Sequence, residues 1–196
     1  MKRILALILG VAVLAGCAGG NDLNQRPVPL GDFSLGHNVV VASKMQMGPV
    51  SREASEEEWK AVLTKAIDDR FGRYEGEGLY HLGVSVEGYM LAPTGVPVLY
   101  KPKSALIINV TVWDDEAGRK YHDEPHQITV LETTDTESFV VGSGATRSKG
   151  EQMAGLSYNA VKAIETWLVE QHEQWGWFTD SPTYNPPREE KPQPTK

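Results

Sequence analysis

The densest set of side chains with chemical potential is His122-Asp123-Glu124-Pro125-His126. Imidazoles and carboxylates are zinc ligands and general acids or bases, so His122, Asp123, Glu124 and His126 are the candidate metal site of a metal-dependent hydrolase. Two histidines four residues apart converge on one ion from a helix, but Pro125 and strand-forming flanks argue for an extended segment. In an extended chain the two rings share a face about 13 Å apart, whereas one ion must lie about 2.1 Å from each. Only a tight bend at Pro125 would join them, and a solvated loop is the plainer reading. Other stretches fail on spacing. Asp114-Asp115-Glu116 lacks the alternating oxygens, sixth-position glycine and twelfth-position glutamate of a calcium loop, and reads as a hairpin tip. Around Ser143 the residues two before and two after are Val141 and Ala145, where a nucleophile elbow needs glycine. Gly142 to Gly150 also lacks the Gly-Lys-Ser/Thr of a phosphate loop; Arg147 and Lys149 at a helix start could hold an anion, but a turn with a helix cap is favoured. Glu75, Glu77 and Glu87 are carboxylates whose separation spacing cannot test. No catalytic residue or complete metal-ligand set is assigned, and no cofactor is implied.

Two apolar groups are candidate partner or ligand surfaces. Val96, Leu99 and Tyr100 lie in a stretch punctuated by Pro93, Pro97 and Pro102, which excludes a central strand. They cover the end of a sheet or form the rim of a lipid or peptide carrier. Trp175, Trp177 and Phe178 crowd around Gly176 and could stack on a glycan or meet an interface; folding back as a plug is the reading their area favours.

The elements that would position these groups follow from periodicity. Ser55 and Glu58 form a capping box, after which Trp59, Val62, Leu63, Ala66, Ile67 and Phe71 make one helical stripe, with Lys60, Lys65, Asp68, Asp69 and Arg70 on the other faces and Gly72 as the stop. Ser148 and Glu151 repeat the box before a second stripe of Met153, Leu156, Ala160, Val161, Ile164, Trp167 and Leu168. From Tyr80 to Met90 the period is two, with Tyr80, Leu82, Val84, Val86 and Met90 on one side, Tyr89 on the other, and a bulge expected at Gly88. Leu106, Ile108, Val110 and Val112 mark the strongest strand, Arg119 begins its hairpin return, and Ile128 to Leu131 is a further strand. Val39 to Val41 is a first strand and Phe139 to Val141 an optional last one. The order β-α-β-β-β-(β)-α predicts an α+β domain: an antiparallel sheet of about four strands, one face wet, with two amphipathic helices packed on the other.

The N-terminus supplies the address. Lys2 and Arg3 precede an apolar run from Ile4 to Leu14, about half the length needed to span a bilayer, followed by small residues, which is a secretory signal. Leu14-Ala15-Gly16-Cys17 resembles the lipobox of bacterial lipoproteins. The resemblance implies cleavage before Cys17, acylation of the Cys17 thiol and freed amine, and membrane attachment through that lipid. Ala18, in place of the aspartate of inner-membrane retention, points to the inner leaflet of the outer membrane, facing the periplasm. Cys17 is the only cysteine, so no disulfide is available and the domain must fold by core packing. Residues 1–16 are then signal peptide, 17–36 a tether rich in Gly, Asn and Pro, 37–180 one α+β domain, and 181–196 a disordered Pro-rich tail. The Val112-Trp113-Asp114-Asp115-Glu116-Ala117-Gly118 hairpin and the Ala160-Val161-Lys162-Ala163-Ile164 helix also resemble small envelope lipoproteins, including the auxiliary lipoproteins of ABC-type transporters. That resemblance implies an accessory role in envelope transport or assembly.

Cleavage removes Lys2 and Arg3 and takes the formal charge from −7 to −9. With no basic cluster to offset it, such a surface repels nucleic acid. These features point to a non-enzymatic binding or assembly module of an envelope complex with an envelope protein as partner.

Overall fold

The computed structural model describes residues 22–93, 103–132 and 147–179. Cys17, the Val96, Leu99 and Tyr100 group, the Gly142-Ser143-Gly144 stretch, the optional strand at 139–141 and the tail lie outside the described residues. After a 3-10 turn at Asp22–Asn24 the elements run β1 (Phe33–Val41), β2 (Gln46–Met47), α1 (Glu56–Phe71), β3 (Gly78–Met90), β4 (Ala105–Asp114), β5 (Arg119–Lys120), β6 (His126–Leu131) and α2 (Lys149–Trp175).

Among the described residues the fold is α+β, six strands in one sheet with two helices packed on it. The sheet is mixed rather than wholly antiparallel. β1 leads through α1 into β3, and a strand–helix–strand crossover lays the two strands parallel; β2 also pairs parallel with β3. β3 and β4 are antiparallel, and β4 in turn pairs antiparallel with β5 and β6.

Both capping boxes form as read. The side chains of Ser55 and Ser148 accept from the backbone N–H of Glu58 and Glu151, whose carboxylates accept from the cap backbones. Trp59, Leu63, Ile67 and Phe71 on α1 and Met153, Leu156, Ala160, Val161, Ile164 and Leu168 on α2 are buried against Leu82, Val84, Val86, Leu106, Ile108, Val110, Val112, Ile128 and Val130. Burying a side chain of this size contributes about 1.5–3 kcal/mol before the entropy of ordering it is subtracted.

The bulge falls where Gly88 stands, between Val86 and Gly88. One extra residue shifts the phase by one, so Tyr89 rather than Met90 turns inward. The Tyr89 hydroxyl then accepts from the N–H of Ala54 at 3.0 Å and donates to its carbonyl at 3.2 Å, tying the entry of α1 to the sheet.

One boundary and one side chain differ from the reading of composition and periodicity. The packed domain reaches back to Asp22: Leu30 and Phe33 are buried, and the N–H of Asp32 donates to the carbonyl of Phe178. Arg70, assigned above to a solvent face, is buried, because three residues after Ile67 it points along the helix–helix contact.

Candidate functional site

The His122–His126 segment is extended at its end, since His126 opens β6. His122 is buried, and both ring nitrogens are used inside the protein. Its Nε2 accepts from the backbone N–H of Val112 at 3.2 Å, so Nδ1 carries the proton and donates to the carbonyl of Glu124, 2.6 Å away. That leaves no nitrogen lone pair for a metal. The ring stacks on Trp177, while the His126 ring lies flat on Trp167 at a centroid distance of 4.2 Å. Asp123 and Glu124 are exposed, and among the described residues no group of three or more His, Cys, Asp and Glu side chains is placed to hold a metal ion. The two histidines serve an aromatic layer that seals α2 onto β4 and β6.

The C-terminal aromatics divide. Trp175 is exposed at the end of α2, as a surface residue would be. Trp177 and Phe178 are core rather than surface. Gly176 takes a left-handed conformation at φ 66° and ends the helix, and the chain turns back so that Phe178 packs edge-on to Phe33 and Tyr80 while Trp177 stacks on Tyr121. Gly31 completes the closure at φ +64°, where a Cβ would lie 2.3 Å from the Phe178 carbonyl. Burial, together with the bond to Tyr80, pushes the Tyr121 hydroxyl well above the usual phenol range.

The sheet face opposite the helices carries the exposed side chains of Val39, Val41, Leu79, Trp113 and Leu131. Cross-strand pairing sets them in register: Val39 and Val41 sit beside Gly83 and Ser85, and Trp113 beside His81 and Lys120. The bulge between Leu35 and Asn38 frees the His37 N–H to donate to His81 Nδ1 at 2.8 Å, leaving Nε2–H of His81 to donate to Asp115 at 2.9 Å. Ser85, Asn109, Thr111, Gln127 and Thr129 make the middle polar. The face therefore has a hydrogen-bonding centre with apolar side chains at its margins.

An ion-pair network that the sequence reading did not find lies in the cleft between the helices. Arg70 donates from Nη1 to Glu165 at 2.6 Å and from Nη2 to Asp22 at 2.7 Å. Tyr74 donates to the other Glu165 oxygen at 2.8 Å, and Arg73 approaches it at 3.5 Å. Asp22 also accepts from Tyr158 and pairs with Lys162 at 3.0 Å, while Arg73 donates to the carbonyls of Leu23 and Gln25. Burial alone would raise the Asp22 carboxyl; the bonds from Arg70, Tyr158 and Lys162 outweigh it and hold it well below the usual carboxylate range. Burial and the bond to Glu165 push the Tyr74 hydroxyl far up. A signal existed. Glu165 interrupts the α2 stripe between Val161 and Leu168, and Arg70 interrupts that of α1 between Ile67 and Phe71, each a charge on an apolar line.

No protein family and no curated protein matches the chain in sequence. Solved structures with a related arrangement include a Caulobacter crescentus protein provisionally described as a lipoprotein, 14% identical with a TM-score of 0.38 over 67% of this chain and 92% of that one. Another is a protein of Xanthomonas campestris, 14% identical with a TM-score of 0.40 over 76% and 94% of the two chains. A third is the PelC dodecamer from Paraburkholderia phytofirmans, 10% identical with a TM-score of 0.36 over 70% and 89%. At this distance no role passes from them to this chain.

Proposed function

We propose that this protein is a lipoprotein anchored through Cys17, facing the periplasm from the outer membrane, and that it works as a non-enzymatic module binding an envelope protein. The observation that carries the binding role is the open face of the sheet. Five large apolar side chains, from β1, β3, β4 and β6, stand exposed there, on strands whose other face is packed against the helices. Apolar side chains on one exposed face around a hydrogen-bonding centre offer a partner both contact area and hydrogen bonds. The lipobox supplies the anchor, and two or three acyl chains bind a bilayer firmly at about 0.8 kcal/mol per buried methylene. The hydrolase reading loses its first ligand, since His122 has both nitrogens engaged.

Labelled palmitate fed to cells should enter the wild-type protein and not Cys17→Ser, and wild type should fractionate with the outer membrane. Crosslinking from a photoreactive side chain at Val39 or Trp113 should capture a protein of the envelope. Protein that takes up no palmitate and stays in the soluble periplasmic fraction would refute the anchor. Identical crosslinking from Val39 and from the exposed helix position Lys65 would refute the assignment of the face.

A further inference from the structure

The place where the chain leaves the domain toward Cys17 is held by a charge network. Asp22 lies on the helix side of the molecule, its carboxylate gripped by Arg70 of α1 and by Tyr158 and Lys162 of α2. The next residues are pinned as well, through the two carbonyls that accept from Arg73. The chain is therefore fixed to the domain from Asp22 onward, five residues after Cys17, and not from residue 37. At no more than about 3.6 Å per residue, five residues reach about 18 Å, against about 70 Å for a leash ending at residue 37. A helix layer about 10 Å thick then separates the clasp from the sheet.

From this geometry we infer that the Asp22 clasp docks the domain helix-side down against the bilayer that holds Cys17, with the open sheet face turned away from the membrane. The interaction surface is the outer side of α1 and α2 around the clasp, and its partner is the lipid surface itself. The clasp works as a fixed point because its cation is buried. Arg70 is 2% exposed, so releasing Asp22 strips a carboxylate from a guanidinium that water cannot reach. A free leash would let the domain tumble; a clasped one lets the lipid dictate which face partners meet. The inference rests on lipidation of Cys17, proposed above, and deepens it from an address to an orientation.

The experiment uses the full lipidated chain in vesicles of phosphatidylethanolamine and phosphatidylglycerol carrying an acceptor dye on the headgroup. Acylation blocks Cys17, so a cysteine introduced by Thr166→Cys, beside the clasp on α2, or by Thr129→Cys, on the open sheet face, is the sole site for a donor dye. Energy transfer from position 166 should exceed that from 129 by about twofold or more, because roughly 20 Å of protein separates them along the membrane normal. Asp22→Lys should bring the ratio close to one. So should insertion of about ten Gly and Ser residues between Gly20 and Asn21, which lengthens the leash without touching the folded domain. A ratio near one in the unaltered protein, or a ratio that either change leaves in place, overturns the proposal. Palmitate incorporation is measured on the same samples, so an unlipidated preparation refutes the anchor reading, while a lipidated protein without orientation refutes the clasp alone.

Discussion

Removing Glu165 should destabilise the domain far more than removing Glu165 and Arg70 together. In Glu165→Leu, the Arg70 Nη1 loses its 2.6 Å partner while the guanidinium stays 2% exposed, held by Asp22 at 2.7 Å on Nη2 and a long 3.5 Å contact on Nη1, and by the face of Tyr158. Tyr74 loses its acceptor in the same step. Breaking a buried pair on one side costs about 3–5 kcal/mol. The surviving Asp22 contact places this case near the lower end, and an orphaned hydroxyl adds about 1 kcal/mol, for a total of about 4 kcal/mol. For a domain of this size each kcal/mol moves the melting point by about 2–4 °C, so a fall of about 8–16 °C is expected. In Arg70→Met with Glu165→Leu no charge is left uncompensated between the helices, and the apolar pair should lie within about 2 kcal/mol of wild type. The assay is a double-mutant cycle on the mature domain, by urea unfolding and by calorimetry. A double variant whose cost equals the sum of the two single losses would refute the reasoning, as would a Glu165→Leu loss below about 1 kcal/mol.

Gly31→Ala should cost about 2–4 kcal/mol, since it forces a side chain into φ +64° and puts its Cβ 2.3 Å from the Phe178 carbonyl; a lowered denaturant midpoint and loss of near-ultraviolet dichroism from the Trp177 cluster would show it. In acid, the sign follows from Asp22. Its folded pKa is depressed, so its stabilisation is present above the ordinary carboxylate value near 4 and is lost as pH falls below that. Melting points should be flat from about pH 5 to 8 and drop below about 4, with a shallower drop in Asp22→Asn. In alkali the sign reverses: Tyr74 and Tyr121 have raised folded values, so their contribution is whole below about pH 10 and is lost above it at about 1.4 kcal/mol per pH unit for each. Absorbance titration of the seven tyrosines should therefore show a late group that ionises only with unfolding. On the open sheet face, Val39→Asp or Trp113→Ser should leave the unfolding midpoint within about 0.5 kcal/mol of wild type yet abolish crosslinking to the partner, and a stability loss with crosslinks intact would count against the surface.

What could be read from the chain alone was what depends on local physics. A capping box is four residues long and satisfies its own hydrogen bonds, so Ser55 and Ser148 announce their helices without help from the rest of the fold. The alternation from Tyr80 to Val86 and the glycine that breaks it were equally legible, because side-chain period and backbone freedom are properties of the segment. The stretch from Leu14 to Cys17 stands apart as a short linear resemblance to a lipobox, and the anchor it implies is the proposal made above. Tertiary structure decided everything that depends on closure between distant segments. Whether His122 binds a metal turned on the N–H of Val112, ten residues away in the sequence. Whether Trp177 and Phe178 form a surface or a core turned on the left-handed turn at Gly176 and the cleft beside Gly31. Composition made residues 18–36 a tether because Gly, Asn and Pro carry little apolar area. The fold shortened it, because Asp22 finds Arg70 across 48 residues of chain, and the bonds from Arg70, Tyr158 and Lys162 outweigh burial and keep the carboxyl ionised in that cleft. Charge pairing over such separations leaves no period and no motif. Only the packing of α1 against α2 brings the two charges together.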